Sequence, residues 1–415
     1  MAEPQGSFQN SALQTPYSQS GSLENLATFF GSDGTWVTGV RCGTPSPTRE
    51  EAEKTRKALD SLFLQKRETR ENSVIIPVAF HIVRHSDGYA DVTDLQINEQ
   101  MDVLNDAYRD VGYQFSLQSV NRVDNSLWSI SSRSESEMKK ALAVNPASTL
   151  NIYTCDLSSG ILGYSYFPSS FAENSFMHGV VVLYSSLPGG TAYPYDEGDT
   201  ATHEVGHYLG LYHTFENGCI LPGDEVDDTP YEASSASGCP LGRDSCPRDP
   251  GEDPIHNFMD YSDDACMDQF TVEQGERMDG MVAVYKPTLW NNDTVFPDMK
   301  INDSDGPVFL SSKDSAQVSV SLNPGNQEGQ NANWWIGVHT SFPAPNDWIT
   351  YVYSDGWQQG IHLYAQTPLF ELSPPLEVLD VPLPAGTYTF YFVIDKLDDD
   401  STNSTWYDSV EVVVN

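Results

Sequence analysis

The stretch THEVGHYLGLYHTF, residues 202–215, gathers three of the chain's nine histidines and a glutamate into fourteen positions. Read as a helix over Thr200–Gly210, it sets His203 and His207 four residues apart, one above the other on the same face. Two imidazoles on that face can reach one metal ion. Glu204, beside the first histidine, projects toward the same cleft, and only a carboxylate there can take a proton from water. Gly210 can adopt the left-handed conformation that stops a helix and turns the chain sharply, which lets His213 swing back to the same point. Three neutral imidazoles with an open fourth position are the donor set of a catalytic zinc, with Glu204 as general base. Helix capping or core packing would account for a bare His-Glu-x-x-His; it does not account for Gly210 and His213 at these spacings.

A chain of 415 residues is long for one domain, so two globular units and an extra segment are expected. No apolar run approaches the ~20 residues of a membrane span, so no membrane insertion is expected. The formal net charge of −38 repels nucleic acid and anionic lipid, and argues against both as partners. It suits basic substrates and oxygen ligands for Ca²⁺, although most such carboxylates are simply solvated. Four of the six cysteines, Cys219, Cys239, Cys246 and Cys266, lie within 48 residues of one another without a Cys-x-x-Cys pair. That spacing favours disulfides and a secreted protein. No secretory signal is visible in the opening MAEPQGSFQNSALQTPYSQS.

Working outward, residues 1 to about 40 are polar and without period. After RCGTPSP, Thr48 and Glu51 form a capping box ahead of a charged helix that ends in the basic patch Lys66, Arg67 and Arg70. SVIIPVAFHIV, residues 73–83, reads as a central strand of a covered sheet. Thr93 and Gln96 cap a helix with Ile97, Met101, Leu104 and Tyr108 on one face. Further strands are expected at Gln114–Val120, Leu150–Thr154, Leu162–Phe167 and Val180–Tyr184. The fold class is therefore an α/β (α+β) domain with a mixed, twisted sheet and an active-site helix. A last helix, capped by Thr271 and Gln274, ends before Pro287. Residues 298–415 change to short alternating runs such as AQVSVSL and TYTFYFVI, expected as an all-β sandwich. The expected division is a segment 1–72, a catalytic domain 73–292 and a sandwich 298–415.

HEVGHYLGLYHTF resembles the extended zinc motif of the metzincin metallopeptidases, and its Leu-Tyr-His-Thr-Phe ending is similar to the pappalysin family. NFMDYSDDACMDQFT, downstream, carries a second likeness: Met259 fits the methionine that metzincins place in a tight turn beneath the zinc, with Tyr261 two residues later. The resemblance implies that Tyr261 lies near the metal and stabilises an oxyanion. LGYSYFP, residues 162–168, is similar to the family's edge strand, to which an extended peptide adds antiparallel. GDEVDDTP, residues 223–230, resembles the family's calcium loop, which implies Asp224, Thr229 and backbone carbonyls near Gly223 and Val226 around Ca²⁺. By position the family's two disulfides would be Cys219–Cys246 and Cys239–Cys266.

Cys42, in VRCGTPSP, resembles a family cysteine that belongs to a pro-segment and binds the catalytic zinc in a latent form. A thiolate suits zinc; a disulfide to Cys155 is the alternative. On the first reading residues 1–72 are an inhibitory segment cut near Lys66–Arg70. Asp263, Asp264 and the overall acidity point to Arg or Lys after the scissile bond. His81, His85, His178 and His256 are expected to be packed or exposed, and His339 and His362 fall in the sandwich. Trp334, Trp335, Trp348 and Trp357 in the sandwich are expected in its core, with a carbohydrate- or protein-binding face as the other option. The whole reads as a secreted, monomeric zinc endopeptidase acting on extended protein substrates. The rival is an adhesion or binding protein that works through its sandwich, with zinc as a scaffold; an intact Glu204 argues against it, since a structural site needs no base.

Overall fold

The computed structural model of the chain describes residues 26–31, 34–65, 74–130, 134–157, 160–290, 295–302, 304, 308–340, 348–353, 355–397 and 405–415. The basic patch Lys66, Arg67 and Arg70 and most of the polar N-terminal stretch lie outside them. Among the described residues, a hairpin of β1 (Leu26–Phe30) and β2 (Trp36–Val40) leads to α1 (Arg49–Gln65). Thr48 and Glu51 exchange side-chain and backbone hydrogen bonds at its start, as a capping box does.

Next come β3 (Val74–Arg84), α2 (Asp94–Tyr108), β4 (Tyr113–Asp124), α3 (Ser126–Ile130), α4 (Glu135–Leu142), β5 (Leu150–Cys155), β6 (Gly163–Tyr164), β7 (Val180–Leu183), α5 (Asp199–Leu209) and α6 (Val272–Tyr285). Five strands form one sheet in the order β4-β3-β5-β7-β6. All pairs are parallel except β6 on β7, which makes the sheet mixed. The expected strand Leu162–Phe167 is thus much shorter: beyond Tyr164 the chain bends toward Pro168, which starts a short 3₁₀ turn.

The apolar runs of β3, β5 and β7 are continuous because both faces of the sheet are covered. Ile76, Val78, Phe80, Ile152, Val180 and Val182 face one cluster, shared with Ile97, Met101, Leu104 and Tyr108 of α2 and with Val205 and Tyr208 of α5. Val83, Tyr153, Cys155, Val181 and Leu183 face another, which Met138 of α4 and Ala27 and Phe29 of the hairpin complete. The period of two along each strand sends alternate residues to opposite layers. The hairpin is therefore part of the core and not an appended arm.

Beyond α6 the strands are β8 (Phe296–Ile301), β9 (Val308–Leu310), β10 (Ser315–Asn323), β11 (Asn331–Thr340), β12 (Trp348–Val352), β13 (Gly356–Gln359), β14 (Ala365–Pro368), β15 (Leu372–Pro382), β16 (Gly386–Lys396) and β17 (Thr405–Val414). One sheet runs β15-β10-β8, the other β13-β12-β11-β16-β17-β9 with β14 also paired to β11. Alternate residues of both, among them Val318, Val320, Trp334, Ile336, Phe390, Phe392 and Val412, enclose a separate core. Trp334 is buried, and the Trp357 indole donates to the Val378 carbonyl. Trp335 and Trp348 are half-buried. No helix among the described residues is long and apolar enough to cross a membrane.

Candidate active site

Helix α5 carries its functional face into the cleft below β6. Gly210 stops it at φ 108°, a left-handed value that a side chain rarely adopts, and its N–H bonds back to the Gly206 and His207 carbonyls. The turn brings His213 to the two helical histidines. His207 Nε2 lies 3.1 Å from His203 Nε2 and 3.0 Å from His213 Nε2, and all three rings are buried. His203 Nδ1 is 2.7 Å from the Phe258 carbonyl and His207 Nδ1 is 2.8 Å from the Leu211 carbonyl. A carbonyl can only accept, so each Nδ1 carries the proton and each Nε2 turns a lone pair inward.

Burial pushes His203 and His213 well below the usual histidine range, and His207 down to about 4. His203 and His207 thus aim two lone pairs at the point where His213 Nε2 also arrives, and nitrogen donors gathered in this way are what a cation fits. Cys42 Sγ joins them: it and the three imidazoles have ligand atoms all within 4.8 Å of one another. Cys155 is not bonded to it and lies on β5, its sulfur 3.9 Å from Met138 Sδ.

Glu204 is fully buried, and burial lifts its carboxyl to about 7. Its Oε2 accepts from the Thr44 hydroxyl at 3.0 Å. Tyr261 sends its hydroxyl to within 3.1 Å of His213 Nε2, and Met259 is buried in the cluster beneath α5.

The segment before α1 lies along the edge strand. Val40 N–H bonds to the Gly160 carbonyl, Leu162 N–H to the Val40 carbonyl and Gly43 N–H to the Gly163 carbonyl, at 2.7, 3.0 and 2.8 Å. The pairing of Val40 with Ile161 is parallel. Next to Cys42, Arg41 is wholly buried; it donates to Thr200 Oγ1 at 3.1 Å, stands 3.7 Å from Asp264 Oδ1 and lies 4.8 Å over the Tyr195 ring. Burial, then the Asp264 charge, holds the neighbouring Asp199 well above the usual carboxylate range. Asp263 is only half-buried, so the structure separates the two adjacent acids that the sequence offered together. Sequence reading missed Arg41, Thr44, Thr200 and Asp199; the signal available was their adjacency to Cys42 and to the histidine helix.

Two disulfides, Cys219–Cys246 and Cys239–Cys266, hold the long loop, with Cα separations of 5.6 and 5.5 Å. Inside it Asp224 Oδ2 and Thr229 Oγ1 are buried without a well-formed hydrogen bond. The Gly223 carbonyl accepts from Asn217 Nδ2, and Val226 N–H donates to Asp224 Oδ1. Burial raises the Asp224 carboxyl to about 7. His81, His85, His178 and His256 lie apart from the three-histidine cluster; His81 bonds Asn151 and His85 bonds Asp156.

Residues 134–283 match the Peptidase_M43 family, described as Pregnancy-associated plasma protein-A. An extracellular metalloprotease of Neurospora crassa is 44% identical over 247 residues, which cover 57% of this chain and 86% of that protein. Extracellular metalloprotease 1 of Coccidioides posadasii is 48% identical over 209 residues, 49% of this chain and 74% of that one. Among solved structures, a Tannerella forsythia promirolysin mutant superposes with a TM-score of 0.53 at 27% identity, covering 60% of this chain and 98% of that one. Fold and site together define a zinc-dependent metalloendopeptidase of the metzincin type. More closely, the chain belongs to the pappalysin family, among the extracellular metalloproteases.

Proposed function

We propose that His203, His207 and His213 hold the catalytic zinc and that Glu204 is the general base. The observation that carries this reading is the convergence of three Nε2 atoms, that of His207 lying 3.1 Å from His203 and 3.0 Å from His213, with a buried carboxylate beside them. Zinc held there supplies Lewis acidity to the scissile carbonyl and makes water a stronger acid. Glu204 takes the proton from the attacking water and passes it to the leaving amine. Tyr261 donates a hydrogen bond to the carbonyl oxygen as negative charge builds on it. Met259 packs under the site as its floor. Glu204→Ala should abolish peptide cleavage while zinc stays bound; cleavage that persists would refute the mechanism.

Residues 1–72 act on this reading as a latency segment ahead of a catalytic domain 73–292 and a sandwich 298–415, with maturation by cleavage near Lys66–Arg70. Cys42 would be a further ligand of the metal in the latent form, while Thr44 caps Glu204 and Arg41 fills a neighbouring pocket. The parallel pairing of Val40 with Ile161 supports it, since a substrate adding antiparallel runs the other way. Held in reverse, the segment offers no peptide bond in register for attack. The Arg41 pocket, with Asp264, Asp199, Thr200 and Tyr195 around one guanidinium, supports a preference for Arg or Lys after the scissile bond. The cleavage sites left in a proteome-derived peptide mixture, with and without a chelator, test that preference.

Ca²⁺ is assigned to the loop at Gly223, Asp224, Val226 and Thr229. Two buried oxygens without good partners and a carboxyl raised by burial are what an oxygen-seeking cation would satisfy.

A further inference from the structure

Glu204 packs against Gly163 of the edge strand and against Ser165 just beyond its end. A Cβ on Gly163 would come 2.9 Å from Glu204 Cγ and 3.2 Å from its Oε1, so the strand leaves room for the side chain only with glycine there. Two residues on, Ser165 is fully buried, and its Oγ lies 2.8 Å from the Glu204 backbone carbonyl and 3.4 Å from Oε2 of the same residue. One hydroxyl thus reaches both ends of the proposed base. Having a single proton, it donates to the carbonyl here and has the carboxylate within reach.

The remaining side-chain partners of that carboxylate are Thr44 and Cys42, and both belong to the N-terminal segment. Once that segment is gone, Ser165 is the hydroxyl left to Glu204 among the described residues, while Oε1 has no well-formed partner at all. Thr44 moreover accepts from the Ser165 N–H at 2.9 Å, so its departure also frees the backbone that holds this hydroxyl.

We propose that Ser165 is the positioning residue of Glu204: once Thr44 has left, its one hydroxyl proton turns from the helix carbonyl to the carboxylate oxygen already 3.4 Å away and fixes which way the carboxylate faces into the cleft. This rests on the reading of Glu204 as base. Misplacing a reacting group by a fraction of an ångström to an ångström costs up to about 100-fold in rate.

The test uses the full chain, processed to whatever form makes the wild type active. Ser165→Ala should lower kcat by about 10- to 100-fold with KM, zinc content and Tm essentially unchanged. In a Glu204→Asp background, where the carboxylate is already withdrawn, the same change should cost less than about threefold. Should the alanine variant fold badly, Ser165→Cys keeps the bulk with a poor donor and should show the same kcat loss. A kcat within about twofold of wild type in either variant, or a loss that travels with released zinc or a lower Tm, would overturn the proposal. Cleavage by Glu204→Ala would instead refute the base assignment on which it stands.

Discussion

Thr44 Oγ1 stands 3.0 Å from Glu204 Oε2 and 2.9 Å from the Ser165 N–H, so a hydroxyl of the N-terminal segment is locked onto the buried carboxylate of α5. Latency would then rest on three adjacent contacts, through Arg41, Cys42 and Thr44. The Cys42→Ala precursor should be active or process itself faster than wild type, and adding Thr44→Val should raise its rate by about a further tenfold, the worth of one hydrogen bond to a charged group. Hydrolysis of a quenched peptide by uncleaved precursor measures both. A double variant as silent as wild type would show that Cys42 and Thr44 do not hold the precursor latent.

Asp264 is the carboxylate facing Arg41 across the pocket. With the segment gone, Asp264→Asn should lower kcat/KM for peptides with Arg or Lys after the scissile bond by about 10- to 100-fold, while peptides with Leu there change little. An equal effect on both peptide classes would show that the pocket reads something other than charge.

Calcium should stabilise whatever holds Asp224 and Thr229. At about 100 times its dissociation constant the ion adds about 2.7 kcal/mol, visible as a raised Tm. A calcium-selective chelator should lower Tm and activity together, and Asp224→Asn should remove the response. Indifference of the wild type to calcium would refute the loop assignment.

Glu232 and Asp253 both bind Arg243, and Asp260 lies close enough to act on Glu232 through its charge. Burial, then Asp260, raises the Glu232 carboxyl to about 8. A folded-state value above the unfolded one means the folded protein holds this proton more tightly. The stabilisation is therefore complete below the ordinary carboxyl range and is lost as pH rises through about 8. Glu232→Gln, which keeps an acceptor for Thr214, should show a flatter fall in Tm than wild type between about pH 5 and about pH 8.5. Parallel profiles would mean that Glu232 is ionised throughout.

Local chemistry explains what could be read in advance. The capping boxes at Thr93–Gln96 and Thr271–Gln274 form as their spacing dictates, because an N-cap bond involves only neighbours in the chain. Strand positions β3, β5 and β7 were legible from unbroken apolar runs. The edge strand was not: Leu162–Phe167 alternates well enough for six residues, yet two are held in the sheet, since its length depends on what pairs with it. Ser165 and Thr44 are ordinary hydroxyls in sequence. Their role arises where a strand, a helix and a distant segment meet.

By itself the sequence determined the helix that carries His203, Glu204 and His207, the glycine that ends it, and His213 at a reachable distance. Periodicity and turn chemistry act over a few residues, and a short motif contains all that such a site needs. Only the tertiary structure decided that Arg41, Cys42 and Thr44, some 160 residues earlier, lie on that site in reverse direction, and that Asp264 rather than Asp263 meets the guanidinium. Contacts across such separations depend on how sheet and hairpin share a core, and no local pattern records them.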